Sequence, residues 1–165
     1  MGLDMYLSKK TYVKQWSHQT PEETFEVSVK KGGKPYEGIQ SDRVSYVTES
    51  LMYWRKANHI HNWFVENVQG GEDNCQTSYV DSEQLTELVN VLRQVKMSLE
   101  KSKKGVVEVV GGWKGGEQYM VDHEVYDTSD EIMELLPPTQ GFFFGSDSID
   151  QWYKETIEET ITTLK

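Results

Sequence analysis

The 165-residue chain has a single cysteine, Cys75, and four prolines. One thiol excludes an intramolecular disulfide and suits a reducing compartment. No apolar run approaches the eighteen or more residues of a membrane span. No charged-then-apolar leader opens the chain, and Tyr6 stands where a myristoylation signal needs Ser or Thr. The expectation is a soluble, cytoplasmic protein without membrane contact. Positive charge is scarce too: 17 Lys and Arg stand against 27 Asp and Glu, a net charge of −10. That balance argues against binding duplex nucleic acid, which rewards a basic surface. Zinc spacing is missing as well. His59 and His61 are two residues apart, on different sides of a helix, and Cys75 has no second thiol, so neither metal nor cofactor is expected.

What is present in quantity is aromatic. Hydrophobic residues make up 36% of the chain, a low figure, while Phe, Trp and Tyr make up 12%. Disordered chains lack that load of rings, so a folded core poor in aliphatics is expected. The length fits one domain.

The segment Tyr53-Trp54-Arg55-Lys56-Ala57-Asn58-His59-Ile60-His61-Asn62-Trp63-Phe64 reverses the global sign of charge. Twelve residues hold four aromatics, two permanent cations, two histidines and two amides, with no carboxylate. Tyr53, Ala57, Ile60, Phe64 and Val68 recur at helical spacing, and Gly70-Gly71 follow as a stop, which predicts one amphipathic helix from Tyr53 onward. On that helix Arg55 and His59 fall on the back. The polar groups beside the stripe, Arg55, Lys56, Asn58 and His61, are the candidate functional residues. Trp63 is either a base-stacking platform or a lid on the core.

Elsewhere the chain reads as short strands mixed with helices. Gly2 to Leu7, Phe25 to Val29 and Val44 to Val47 alternate as strands do, and Thr77 to Val80 reads as extended. Asp81 with Gln84 forms a capping-box pattern ahead of a helix carrying Leu85, Leu88, Val89, Leu92, Val95 and Leu99. Residues 102–127 read as a β-hairpin elaboration with a glycine-rich tip. A short helix near Ser129 ends at Pro137-Pro138, and a last helix, capped from Ser146 to Ser148, carries Ile149, Trp152, Tyr153, Ile157, Ile161 and Leu164. The predicted class is α+β: a single domain with an antiparallel sheet and two to three main helices packed on it.

Three stretches together carry a resemblance. The opening Met1-Gly2-Leu3-Asp4-Met5-Tyr6-Leu7, the Tyr53-Trp54-Arg55-Lys56-Ala57-Asn58 … Ile60-His61 … Trp63-Phe64-Val65 segment and the Gly141-Phe142-Phe143-Phe144-Gly145-Ser146 run resemble a family of small phage and prophage proteins of Gram-positive bacteria. The resemblance covers roughly half the chain and implies a phage setting, with host cytoplasm as the location. It implies no mechanism.

Residue chemistry in that setting suggests a protein that sequesters a nucleotide-derived immune signal, a sponge for a cyclic nucleotide or an ADP-ribose derivative. Tyr53, Trp54, Trp63 or Phe143 offer stacking faces. Arg55 and Lys56 offer phosphate contacts, and Asn58 and His61 offer hydrogen bonds to a base edge or ribose. Two alternatives stand beside it. A metal-independent phosphodiesterase would use His61, with His59, as acid and base. An acidic inhibitor would dock on a host protein. A homo-oligomer with a shared pocket is compatible with each.

Overall fold

A computed structural model describes residues 3–140 and 146–165. Among them the class is α+β, with antiparallel strands and three helices longer than two turns. The strands form three two-stranded sheets. β1 (Asp4–Tyr12) pairs with β4 (Tyr46–Arg55), β2 (Lys30–Lys31) with β3 (Lys34–Pro35), and β5 (Lys104–Lys114) with β6 (Glu117–Tyr126). The helices are α1 (Asn58–Asn67), α2 (Ser82–Lys101), the short α3 (Asp130–Leu135) and α4 (Gln151–Thr163). The chain divides into two compact units: residues 1–5 with 54–165, and residues 6–53.

The larger unit holds an aliphatic core. Leu88, Leu92, Val95 and Leu99 recur at three- and four-residue spacing along α2, and all four are fully buried. Ile132 of α3 and Ile157 of α4 are equally closed to solvent, and α2 packs against both of these helices. The predicted Asp81 cap forms as a reciprocal box. Gln84 N donates to Asp81 Oδ1 at 2.8 Å, and Asp81 N donates to Gln84 Oε1 at 3.1 Å. The predicted hairpin is present and longer than its apolar core, with Gly115-Gly116 in its turn, both at positive φ. Only its base is closed over: His123 and Tyr126 are buried.

In the smaller unit β1 and β4 carry most of the order. Leu7, Val13 and Met52 point inward, and the Tyr6 and Tyr53 rings stack at 5.0 Å. Phe25 to Val29 alternates like a strand but is irregular here. A lone alternating segment has no ladder to satisfy its backbone, and the neighbouring β2 and β3 are two residues each. Thr77 to Val80 is likewise outside any strand.

The largest departure from expectation is at the aromatic segment. No helix runs from Tyr53. β4 continues to Arg55, and α1 begins at Asn58. Met52 and Trp54 are buried while Tyr53 and Arg55 are exposed, the two-residue period of a strand. Lys56 then turns the chain with φ +57°, and its N–H donates to the Leu3 carbonyl at 2.7 Å. A left-handed residue ends both strand and helix. The cap of α4 also lies later than expected, at Asp150, whose Oδ1 accepts from Tyr153 N at 3.0 Å.

Candidate functional site

A cleft of about 510 Å³ opens within the larger unit, where the start of α1 faces the start of α4. Its volume is in the range of small-molecule sites, about 300–1,000 Å³. Arg55, Lys56, Asn58 and His59 line one side, and Asp150, Trp152, Tyr153 and Thr156 the other, with Ser146 and Ser148 between them.

The cationic side follows from the strand-to-helix turn. Arg55 is the last residue of β4, on its solvent face, and Lys56 occupies the turn. Neither makes an ion pair among the described residues, although the chain carries 27 carboxylates. Ala57, at the N-cap of α1, has no side-chain acceptor, and no acidic residue stands in the first turn. The helix dipole at this end therefore adds to the field of the two cations.

Asn58 is a clamp. Its Nδ2 donates to the Ser146 carbonyl at 2.8 Å and its Oδ1 accepts from Thr139 N at 3.0 Å, which ties both residues to the start of α1. With both ends of the amide engaged and the residue 1% exposed, it shapes the wall.

His59 is one turn-position further on, buried against Tyr153 with ring centroids 4.2 Å apart. Burial holds the imidazole neutral, with its pKa pushed down to about 3. Its Nε2 has no hydrogen-bond partner. Tyr153 itself is anchored, donating from its hydroxyl to the Leu136 carbonyl at 2.7 Å.

On the facing side, Trp152 projects from the first turn of α4 and is 54% exposed. One face of the indole meets His123, centroid to centroid 4.3 Å. The Asp150 carboxylate is occupied: one oxygen caps α4 and the other lies 3.3 Å from His123 Nε2. That second contact has ion-pair distance without hydrogen-bond alignment, since His123 Nε2 also lacks a partner in hydrogen-bonding geometry.

Of the residues expected to form a site, the structure brings Arg55, Lys56 and Asn58 into one cleft. Tyr53 stacks on Tyr6 in the other unit. Trp54 is buried, its Nε1 donating to Thr160 Oγ1 at 2.8 Å. Trp63 is 6% exposed and meets Phe64 edge-on, so of its two readings the core lid is the one the packing matches. His61 faces Asp73, with Nε2 to Oδ1 3.6 Å, and is outside the cleft. Phe143 lies outside the described residues. Sequence reasoning overlooked Trp152 and Asp150, and it placed His59 on the back of the helix, as an acid or base only in the phosphodiesterase alternative. The absence of an acidic cap before α1 was a usable signal, as was Asp150 three residues before Tyr153.

Among the described residues no group of three or more His, Cys, Asp or Glu could hold a metal ion, and no helix is long and apolar enough to cross a membrane. Compared with family models, curated proteins and solved structures, the chain matches none.

Proposed function

We propose that this cleft captures a small phosphate-bearing aromatic molecule of the nucleotide class. The observation that carries the reading is the pair of cations Arg55 and Lys56, without an ion-pair partner among the described residues, at the start of α1 in a chain of net charge −10. Two adjacent cations at the mouth of one cleft, beside the start of a helix, form an anion subsite. Trp152 supplies the exposed indole on which a base stacks, a contact worth about 1–3 kcal/mol.

Capture is favoured over cleavage by the histidines. His59 is a neutral imidazole too weakly basic to accept a proton near neutral pH, and His61 belongs to a different part of the surface. With the resemblance to phage proteins, the reading becomes sequestration of a nucleotide-derived immune signal in the host cytoplasm, an anti-defence sponge.

The test is a thermal-shift screen against mononucleotides, cyclic di- and trinucleotides and ADP-ribose derivatives, followed by mass spectrometry of the hits. A ligand at a hundred times its Kd adds about 2.7 kcal/mol to the folded state. A shift with the ligand recovered intact is expected. Recovered cleavage products would make the protein a phosphodiesterase, and silence across the panel would overturn the nucleotide reading.

The β5–β6 hairpin favours a second reading, docking on a host protein. Val106, Val110, Trp113 and Met120 are all exposed there, Trp113 at 69%. Exposed apolar surface of this kind marks contact sites. Affinity capture with the Trp113→Asp variant beside the natural chain tests it: a stoichiometric partner lost with the indole supports docking.

A further inference from the structure

The cleft contains a second recognition element, separate from its cations. Three buried side-chain atoms among the described residues have no hydrogen-bond partner: His59 Nε2, Gln69 Oε1 and His123 Nε2. Of these residues, only His59 lines the cleft. At 5% exposure it is too closed for bulk water to serve it freely, and an unmet buried polar group is a cost to the folded state.

None of its neighbours supplies the bond. From α4, the Tyr153 ring lies tilted against the imidazole while its hydroxyl donates to Leu136, and the Asp150 oxygens face Tyr153 N and His123. Between the two sides, Ser146 Oγ accepts from Ser148 N. From the β4–α1 turn, Arg55 and Lys56 line the same cleft. The ring is held neutral by desolvation.

We propose that, given nucleotide capture at this cleft, His59 Nε2 is completed by an uncharged hydroxyl of the ligand, so that the site selects a nucleotide over free phosphate. A neutral imidazole nitrogen is either a donor or an acceptor according to its tautomer, and a hydroxyl can be both. A ribose hydroxyl thus satisfies either form without bringing charge to a desolvated position. Phosphate oxygens, by contrast, meet the exposed Arg55 and Lys56 at the rim. The ligand is bipartite: anionic group outward on the cations, sugar inward on His59, base on Trp152.

The experiment combines titration calorimetry with 15N NMR of the histidine side chains, using AMP, 3′-deoxy-AMP, 2′-deoxy-AMP, cyclic di-AMP and inorganic phosphate as probes. Natural protein, His59→Leu and His59→Gln are compared, each first checked for a native melting transition. For a ribonucleotide that binds, the His59 Nε2 resonance moves, His59→Leu binds at least tenfold more weakly, and His59→Gln, which retains a donor and an acceptor, recovers most of the affinity. Removing one ribose hydroxyl weakens the natural protein and leaves His59→Leu unchanged. Inorganic phosphate binds all three proteins equally. A ribonucleotide that binds natural protein and His59→Leu alike, with the imidazole resonance still, overturns the inference and leaves nucleotide capture standing. So does uptake of a proton by His59 on binding, seen as an imidazolium signal. If none of the nucleotides binds, capture and inference both fall.

Discussion

His59 at the start of α1 and Tyr153 at the start of α4 lie ring to ring, 4.2 Å between centroids with an interplanar angle of 36°. This contact sets the floor of the cleft, and it is held from behind by the Tyr153 hydroxyl donating to the Leu136 carbonyl at 2.7 Å. Burial raises the phenol above its ordinary pKa, which keeps it a donor. Tyr153→Phe keeps the ring and deletes the bond, leaving a buried carbonyl short of its partner. The expected loss is about 1–2 kcal/mol, read as a lower urea midpoint with an unchanged slope. A variant as stable as the natural chain would show that water replaces the hydroxyl.

His59 also makes stability depend on pH. Its folded pKa of about 3 is depressed below the ordinary value of 6.5 by burial. Below pH 6.5 the unfolded chain takes up a proton that the folded chain refuses, so stability rises with pH across this window and falls as pH drops from 6.5 toward 3. The slope from this one group approaches about 1.4 kcal/mol per pH unit in the middle of the window. Urea melts at pH 7, 6 and 5 should trace it. His59→Phe removes both the titration and the unmet polar atom, so it should melt higher than the natural chain, and its difference from the natural chain should widen as pH falls. If the two chains lose stability in parallel, the imidazole is protonated in the folded state.

Trp54 and Thr160 form a buried hydrogen bond, Nε1 to Oγ1 2.8 Å, between the end of β4 and α4. Thr160→Val strands the indole N–H and should cost about 1–3 kcal/mol. Trp54→Phe removes the donor but also empties indole volume. In a double-mutant cycle the second change should cost less in the Thr160→Val background than alone, by about 1 kcal/mol. Strict additivity would mean the bond adds nothing to the fold.

Legibility followed the range of the interactions. The Asp81–Gln84 box and the apolar spacing of α2 are decided within a few residues of chain, and both were read from sequence. Arg55, Lys56 and Asn58 stood out by composition, because an island without carboxylates is visible in an acidic chain. The secondary structure around them was not visible. Tyr53 and Ala57 match helical spacing by coincidence, and the strand signal of Met52 and Trp54 became evident only with β1 alongside. The break itself is Lys56 in a left-handed conformation, where sequence habit looks for glycine. Moving the helix start to Asn58 brought His59 from the expected back of the helix to the buried side, beside an α4 residue far along the chain. The α4 cap was missed because Ser146 and Ser148 are as good N-cap residues by type as Asp150, and only the fold decides among them.

The hairpin offers a local test of close packing. A Cβ on Gly111 would lie 2.6 Å from Tyr119 Cε2 and from Val121 Cγ1, so the two side chains rest over bare backbone. Gly111→Val forces them away and should loosen β5 and β6 at a cost of about 1–3 kcal/mol. Faster amide exchange along 104–126, with protection in α2 unchanged, is the expected pattern. Unaltered exchange in the hairpin would show that Tyr119, itself half-exposed, swings clear without cost.

Lys56 separates function from stability most directly. Its φ of +57° is strained for a residue with a Cβ and costless for glycine. Lys56→Gly keeps the backbone N–H that donates to Leu3 and removes both the strain and one rim cation. Local strain relief, about 1 kcal/mol, competes with the greater freedom glycine has in the unfolded chain, so the net change in stability should be small and favourable. Nucleotide affinity should fall about tenfold, as expected for a charge-assisted contact of about 1.4 kcal/mol. Lys56→Ala loses the same cation but retains the strain, so it should match Lys56→Gly in affinity and melt below it. Melting curves and calorimetric titrations on the two variants decide the matter. If Lys56→Gly binds as well as the natural chain, the cation takes no part in recognition and the strained turn has only a structural role.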